Sequence, residues 1–395
     1  MPKNWLLAFS ELSQAMDALY PNERKVLFLD ELPWMATPRS GFLAALGWLW
    51  NSWATKRNVV VVICGSAASW MIRRVINHRG GLHNRITRMM LLLPFTLAEM
   101  EFYCRTRQIT LDRYQLLQLY MVLGGIPLYL DLLKPGLSAT QNIERICFER
   151  GAYLRSEFDR LFASLFDRYE RHLQVVRALA SVRRGLTRNE LKARLTLSDG
   201  GGLSRLLDEL EASGFITIYG SYRKKKQFQL YRLTDGYSHF YLSFLEKITR
   251  NAKVEFTGLT NLPQWRTWAG YAFENVCLEH ISQIRRALGI NGISSQTATF
   301  IARPKDGLPG AQIDLLIDRQ DRNINLCEMK FSVREIQLTK AMVEHLRTER
   351  LVFAHHTKTK KHVFLTLVTI YGVKNDDHIN HGIDQVITMD DLFQP

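Results

Sequence analysis

The chain has 395 residues, of which 46% are hydrophobic and 23% charged, and it carries a formal net charge of +14 with a pI of about 9.6. The length favours two or three domains, the composition is ordinary for a folded protein, and no apolar run approaches the roughly 18 residues that span a bilayer. An excess of basic residues this large favours nucleic acid or another polyanion as partner.

The N-terminus and the cysteines indicate a reducing compartment. The first 21 residues have apolar positions at helical spacing and lack a secretory pattern. The five cysteines are scattered without the spacing of a metal site: Cys64, Cys104, Cys147, Cys277 and Cys327. The prediction is reduced core cysteines in a cytoplasmic protein.

Residues 1–94 predict an α/β segment. The stretches VLFLD (26–30), NVVVVICGS (58–66) and MMLLLP (89–94) are apolar on both faces, which is typical of buried parallel strands. Helices fill the intervals, so the pattern is doubly wound.

Residues 95–165 lose the strands and predict a small helical unit. Helices are expected at 99–104, 111–122 and 126–133, and the sequence GGIP at 124–127 forms a turn that opens the last one.

Residues 166–250 predict three helices followed by a hairpin, which is a winged-helix layout. The expected elements are a helix at 169–182, a helix capped by Thr187 with Glu190 as its capping-box partner, a helix that follows the turn at 198–202 and ends at Gly214, and strands at 215–219 and 228–233. A basic tip, Arg223–Lys226, joins the two strands.

Residues 255–395 predict a second α/β segment. The expected elements are a helix at 265–288, strands at 297–302, 311–317 and 323–331, a helix at 334–349, and strands at 350–354 and 361–370.

The sequence KVLFLDE places Asp30 and Glu31 at the carboxyl end of a buried strand, the edge where open α/β sheets bind ligands. A first carboxylate there can coordinate Mg²⁺, usually through water, while a second polarises an attacking water. The alternative is a strand end that happens to be acidic. Ser66 ends the next strand, where a polar side chain could lie beside a phosphate.

Asp30, Glu31 and Ser66, with the turn at 124–127, resemble the corresponding features of the archaeal-type AAA+ ATPases of archaea and bacteria. The resemblance covers most of the chain. It implies that Asp30 and Glu31 are a Walker B pair, that Ser66 is a sensor-like residue, and that Arg85 or Arg88 is an arginine finger. Relatives carry an ATPase domain, a winged helix and a C-terminal nuclease-like domain. ATP is the cofactor that the resemblance implies, and the ring assemblies of relatives imply a homo-oligomer.

The chain departs from the family at its phosphate-binding loop. A P-loop reads G-x-x-x-x-G-K-[ST], and no glycine in this chain is followed by lysine. In the family the strand before that loop lies between the strands predicted at 58–66 and 89–94, so these two lack a shared neighbour. We therefore expect no ATP hydrolysis, and the absence weakens the implied ring. A truncated reading frame is the favoured cause, ahead of a nucleotide-free paralogue.

Nucleic-acid contacts are predicted at the hairpin tip. Arg223, Lys224, Lys225 and Lys226 suit phosphate contacts. Arg205 faces outward from the third helix, which is not otherwise basic and so is poorly suited to reading bases. DNA is the expected partner, and a solvated turn in a protein-contact domain is the alternative.

The C-terminal segment carries a nuclease-like pattern. Asp314 lies on one predicted strand, Glu328 and Lys330 project from one face of the next, and an upstream helix supplies Glu274. This order matches PD-(D/E)xK nucleases, in which Asp314 and Glu328 would hold Mg²⁺ and the lysine would position the nucleophile or offset developing charge. The alternative is that Glu328 and Lys330 belong to a solvated strand face with a cross-strand ion pair.

The predicted fold class is therefore α/β: an incomplete P-loop ATPase sheet (1–94) with a helical lid (95–165), a winged-helix domain (166–250) and a restriction-endonuclease-like α/β domain (255–395). Three functions remain open: a Mg²⁺-dependent nuclease derived from an ATPase, a non-catalytic DNA-binding or regulatory protein, and an ATPase completed by a separately encoded P-loop segment.

Overall fold

The computed structural model describes residues 2–21, 23–66, 68–76, 82, 85–195, 201–248, 255–374 and 382–395. Within these residues the chain is a mixed α/β protein whose strands form three sheets. It folds into two compact units. The first comprises residues 1–92, 163–169 and 200–213, and the second comprises residues 93–162, 170–199 and 214–395.

The α-helices of the described residues are, in chain order, α1 (Trp5–Leu19), α2 (Leu32–Met35), α3 (Phe42–Ser52), α4 (Ala68–Met71), α5 (Leu97–Thr106), α6 (Arg113–Leu123), α7 (Pro127–Leu130), α8 (Ala139–Ile143), α9 (Glu157–Leu165), α10 (Tyr169–Ala180), α11 (Arg188–Leu195), α12 (Gly201–Ala212), α13 (Gly236–Phe240), α14 (Phe256–Thr260), α15 (Pro263–Glu279), α16 (Ile281–Ala287), α17 (Lys340–Thr357) and α18 (Met389–Leu392).

The strands are β1 (Lys25–Leu29), β2 (Val59–Ile63), β3 (Leu186–Thr187), β4 (Ile216–Tyr219), β5 (Leu230–Leu233), β6 (Ser295–Ala302), β7 (Ala311–Arg319), β8 (Asn323–Lys330), β9 (His362–Thr369) and β10 (Gln385–Ile387). Short turns of 3₁₀ or π helix connect several of these elements.

The first unit is built on the parallel pair β1–β2. The register runs from Lys25 opposite Val59 to Leu29 opposite Ile63, so the predicted parallel strands form. The prediction that both faces are buried is wrong for β1, because Val26 and Phe28 are 62% and 57% exposed. Helices α1 and α3 pack on this pair around Phe9, Phe42 and other buried side chains. Burial of one apolar face per element supplies the driving force for this small core.

The strand predicted at 89–94 is wrong. Among residues 85–96 the structure has no strand, and the side chains of Met89 and Leu92 are 64% and 90% exposed. A strand needs a hydrogen-bonded neighbour, and the strand expected between β2 and this run is not found among the described residues.

The helical segment follows the sequence prediction closely. Helices α5 and α6 occupy the predicted stretches, whereas α7 covers only Pro127–Leu130 of the predicted 126–133. Thr96 opens α5 with a capping box to Glu99. The turn at 124–127 is tight because Gly124 has φ +65° and the carbonyl of Gly125 accepts the N–H of Phe95 at 2.7 Å.

The next stretch forms α10, α11, α12 and an antiparallel sheet of order β3–β5–β4. Thr187 and Glu190 form the predicted reciprocal cap, with the Thr187 N–H 2.8 Å from Glu190 Oε2. The two-residue strand β3 is an addition to the prediction. Helix α12 is grouped with the first compact unit, whereas the sheet belongs to the second. The predicted turn at 198–202 lies largely outside the described residues.

The C-terminal stretch forms a five-stranded sheet of order β10–β9–β8–β7–β6. Strands β6, β7 and β8 pair antiparallel, and β8, β9 and β10 pair parallel. Helix α17 packs on one face of the sheet, where Leu346 and Phe353 are buried with residues of β7 and β8.

Two predictions for this stretch are wrong. Residues 350–354 are helical rather than a strand, because α17 buries Val343, Leu346 and Phe353 at helical spacing, and a short apolar run alone does not distinguish the two states. The long helix predicted at 265–288 breaks at His280, whose buried ring accepts the N–H of Leu97 at 2.9 Å.

None of the helices in the described ranges combines the length and the apolar character that crossing a bilayer would require.

Candidate functional site

The acidic pair of the first unit lies at the carboxyl edge of its sheet. Asp30 follows β1, and Glu31 adopts a left-handed conformation with φ +47° before α2. Ser66 follows β2, and because the two strands are parallel it reaches the same edge: its Oγ donates to Glu31 Oε2 at 3.1 Å. The structure thus brings together three residues that the sequence singled out.

Asp30 makes local hydrogen bonds at this edge. Its Oδ1 accepts the N–H of Glu31 at 3.0 Å and the thiol of Cys64 at 3.0 Å. The bond to this carboxylate raises the pKa of the Cys64 thiol. Arg85 and Arg88 lie in an exposed irregular stretch, and among the described residues neither forms a hydrogen bond or ion pair with Asp30, Glu31 or Ser66.

The predicted nuclease residues on β7 and β8 come together in the second unit. Leu315 pairs with Cys327 across the antiparallel ladder, so Asp314 lies beside Glu328. Glu328 Oε1 and Lys330 Nζ are 2.5 Å apart, and Gln312 donates to Asp314 Oδ1 at 3.0 Å. This contact between Glu328 and Lys330 joins residues of one strand rather than two.

A β-bulge lies at Asp314. Along β6 and β7, Ala298 is opposite Leu316 and Phe300 is opposite Ile313. Strand β7 therefore has two residues between these pairs, whereas β6 has one. Bulges re-aim side chains and are frequent beside functional sites, so the local backbone sets the direction of the Asp314 carboxylate.

Glu274 lies on α15 and is 2% exposed. Its Oε2 accepts from Arg232 Nη2 at 2.9 Å and from Arg183 Nε at 3.3 Å, and Arg183 also pairs with Oε1. Both carboxylate oxygens are therefore taken by arginines.

Arg232, on β5, connects two of the predicted site residues. It is 2% exposed, and its Nη1 lies 3.8 Å from Asp314 Oδ1. One guanidinium thus faces the carboxylates of both Glu274 and Asp314. Sequence reasoning missed Arg183 and Arg232 because they belong to a stretch assigned to another domain. The sequence did offer one signal for Arg232, which lies in an apolar strand. A cation buried there requires an acidic partner.

Glu349 on α17 is a further carboxylate that sequence reasoning missed. Burial, followed by the charges of Glu328 and Asp314, raises the pKa of Glu349 to about 8, although Lys330 opposes this effect. Helical spacing from the buried Val343 and Leu346 could have placed Glu349 against the sheet.

The oxygen donors of this region are chemically suited to Mg²⁺, but their placement does not form a site for it. Glu274 is neutralised by two arginines, Asp314 faces Arg232, and Glu328 is paired with Lys330. Across the described ranges, no three His, Cys, Asp or Glu residues are grouped so that they could hold an ion. Protein cations already pair with the carboxylates that the pattern assigns to the site.

The basic tip is docked on the edge of β6. Ser221 pairs with Thr299, and the N–H of Tyr222 donates to the Thr299 carbonyl at 2.8 Å. Arg223 Nη1 donates to the Thr357 carbonyl at 3.2 Å, and Lys224 Nζ donates to the Ile301 carbonyl at 3.1 Å. The four side chains from Arg223 to Lys226 remain exposed, so the tip is fixed in place without being covered.

Arg205 lies on α12 in the first unit and is separated in sequence from this tip. Its Nε donates to Glu209 Oε1 at 3.0 Å, and Glu209 also accepts from Arg73 at 2.7 Å. Its side chain is 68% exposed.

Comparisons with known proteins leave the family open. No protein-family model matches the sequence, and no curated protein matches it. A solved structure of a Walker-type ATPase of Pyrococcus abyssi is similar at 18% identity and a TM-score of 0.43, over 59% of this chain and 66% of that one. The matched part is just under two thirds of that protein's length, and a match at this level does not establish a common fold.

Proposed function

We propose that this chain is a DNA-binding protein whose second compact unit holds DNA through its basic hairpin tip, and that binding rather than cleavage is its principal activity. The observation that carries the proposal is the docked tip: Arg223 and Lys224 are anchored to backbone carbonyls, and Lys225 and Lys226 are exposed beside them. Ordered cations on a rigid turn suit contacts with phosphates, and the net charge of +14 supports the same partner.

The finer architecture belongs to this proposal. The three helices and the three-stranded sheet support a winged helix, although α12 is grouped with the first unit. The order of two helices, three strands, a helix and a strand from α15 to β9 supports a nuclease-like domain. The cluster of Asp30, Glu31 and Ser66 supports descent from a P-loop ATPase.

The proposal is tested with a labelled 30-base-pair duplex in EDTA, with binding followed by fluorescence anisotropy. We expect the wild type to bind with strong salt dependence, and Lys225→Ala/Lys226→Ala to weaken binding roughly 10-fold. Lys340→Ala/Lys374→Ala removes the same charge from exposed positions elsewhere and serves as the matched control. A wild-type protein that does not bind the duplex, or equal losses in both variants, contradicts the proposal.

Mg²⁺-dependent cleavage is the second candidate, because Asp314, Glu328 and Lys330 are neighbours, although a metal would have to displace the contacts that Arg232 and Lys330 make with the two carboxylates. Incubation of supercoiled plasmid with Mg²⁺ distinguishes the two. Nicking by the wild type that is absent from Lys330→Ala, with duplex binding retained in both, would establish cleavage. If both proteins leave the plasmid intact, binding alone stands.

A further inference from the structure

A cleft of about 450 Å³ lies beside the hairpin tip, within the second unit. One wall is formed by Tyr222–Lys224, another by the end of β6 and the turn that follows it, and the floor by His356 and Thr357 at the end of α17. The walls come from three separate parts of the chain, and none of the residues after β6 was singled out by the sequence.

Both cation-bearing turns are held in defined conformations. After β6, Lys305 and Leu308 exchange two backbone hydrogen bonds of 3.0 and 3.1 Å around Asp306 and Gly307, whose φ angles are +53° and +77°. This is the geometry of a two-residue hairpin turn. In the opposite wall Arg223 itself has φ +53°. Strained backbone of this kind, held by its surroundings, is common where a ligand is bound.

The cleft is electropositive. Arg223 and Lys224 line one wall, and Arg303 and Lys305 line the other. Asp306 is the acid beside them, 3.8 Å from Lys305 in an exposed pair, so one carboxylate offsets four cations. Arg223 and Lys224 each donate to a backbone carbonyl, and Arg223 also bonds to the side chain of Tyr222. A guanidinium has five N–H donors and an ammonium three, so both residues keep donors for a ligand.

The aromatic residues of the cleft are not presented for base stacking. Tyr222 and Phe300 are 8% and 5% exposed, and their rings pack on Phe353 with centroids 5.4 and 5.0 Å apart. Single-strand binding without sequence preference relies on exposed rings, whereas this cleft exposes cations. The ligand it fits is an anionic backbone rather than a set of bases.

The cleft also adjoins the acidic residues of the sheet. Ile301, in the cleft, pairs with Gln312 of β7, and Gln312 donates to the carboxylate of Asp314. Gln312, the neighbour of Ile301 on the adjacent strand, therefore lies two residues from Asp314, about 7 Å along β7.

We propose that this cleft is a binding site for the phosphodiester backbone of duplex DNA, with Arg303 and Lys305 contributing contacts that are independent of base sequence. The proposal rests on the DNA-binding function above and extends it to a second wall of cations, opposite the tip.

The test compares Arg303→Ala/Lys305→Ala with Arg286→Ala/Lys340→Ala, which removes the same charge from exposed sites on α16 and at the distant end of α17. Lys340 and Thr357 are 17 residues apart on one helix, about 25 Å. Two 30-base-pair duplexes of unrelated sequence are titrated in EDTA from 50 to 200 mM salt, and thermal unfolding of each variant confirms that the fold is retained.

We expect the cleft variant to lose roughly 10-fold in affinity for both duplexes, with the slope of log K against log salt reduced by about 1.8, or 0.9 per lost contact. The control variant should change much less. Wild-type affinity in the cleft variant overturns the inference, as does a loss confined to one duplex. Displacement of the duplex by micromolar ATP through the same residues would identify a small-ligand pocket and also overturn it.

Different outcomes exclude the cleft and exclude DNA binding as a whole. If the wild type does not bind DNA, both are wrong. If the wild type binds and the cleft variant binds equally well, only the cleft is excluded. If Lys225→Ala/Lys226→Ala binds DNA normally while the cleft variant does not, the inference about the cleft is supported. The hairpin tip is then not the part of the protein that holds DNA.

Discussion

Arg232 and Glu274 form a buried ion pair, with 2.9 Å between Nη2 and Oε2 and 2% of each side chain exposed. The partners are 42 residues apart in sequence and come from β5 and α15. Glu274 is the helical carboxylate of the nuclease-like pattern, so its neutralisation by a protein cation changes what that pattern can do. Metal binding there would have to displace a guanidinium that is itself buried.

Replacement of Arg232 by methionine should lower the free energy of unfolding by about 3 kcal/mol, because it leaves the Glu274 charge buried with one fewer cation. Adding Glu274→Gln to that variant should recover part of the loss, since the unpaired charge is removed. Urea unfolding of the two single variants and the double variant measures this coupling.

Arg286→Met is the control for that cycle, because Arg286 is exposed on α16 and its loss should change stability by less than about 0.5 kcal/mol. Strictly additive effects of Arg232→Met and Glu274→Gln would show that the pair does not contribute as a unit.

The chain should not hydrolyse ATP at a rate that depends on Asp30. It has no glycine followed by lysine to hold phosphates, and the Asp30 carboxylate is bonded to the Glu31 N–H and the Cys64 thiol. Phosphate release from ATP and Mg²⁺ is compared between wild type and Asp30→Ala. A measurable rate that falls in the variant would show that the first unit is a working ATPase.

His239 should make the fold sensitive to acid. Burial, assisted by the charge of Arg232, lowers the pKa of His239 to about 3. Below pH 6.5 the unfolded chain takes up a proton that the folded chain does not, so stability falls as the pH drops from about 6.5 towards 3. Between pH 7 and pH 5 the loss is about 2 kcal/mol.

His239→Phe should remove that part of the pH dependence, because the ring still packs on Tyr271 and Trp268 and no longer titrates. Denaturant unfolding at pH 7 and pH 5 measures the difference. His362→Phe removes an exposed imidazole and is the control. An unchanged difference in His239→Phe would assign the acid sensitivity to other groups.

Gly125→Ala should destabilise the second unit by about 3 kcal/mol. A Cβ at this position would collide with the backbone of Phe95, whose N–H donates to the Gly125 carbonyl at 2.7 Å, and a packed turn cannot relieve such a clash cheaply. Urea unfolding of the variant tests this. Gly292→Ala, where a Cβ meets nothing within 4 Å, should be close to neutral, and equal effects at both sites would contradict the steric argument.

Local chemistry in the sequence predicted much of the fold. The strands β1, β2, β6, β7, β8 and β9, the cap of Thr187 and Glu190, and the turn at 124–127 all depend on periodicity or on residues a few positions apart. The strand at 89–94 failed because hydrophobicity alone does not supply a hydrogen-bonded neighbour. The strand at 350–354 failed because a short apolar run fits a helix equally well.

The residue types were legible in the sequence: an acidic pair after an apolar strand, a basic hairpin tip, and an Asp, Glu and Lys on adjacent strands. How their charges are balanced depends on the folded arrangement. Arg232 pairs with Glu274 and Asp314 from another segment. The charge of Glu328 acts on Glu349 from across the fold. Two pairs of cations line one cleft from separate turns: Arg303 and Lys305, and Arg223 and Lys224. These relationships depend on distances across the fold, and electrostatic interactions in partly buried sites are set by such distances rather than by position along the chain.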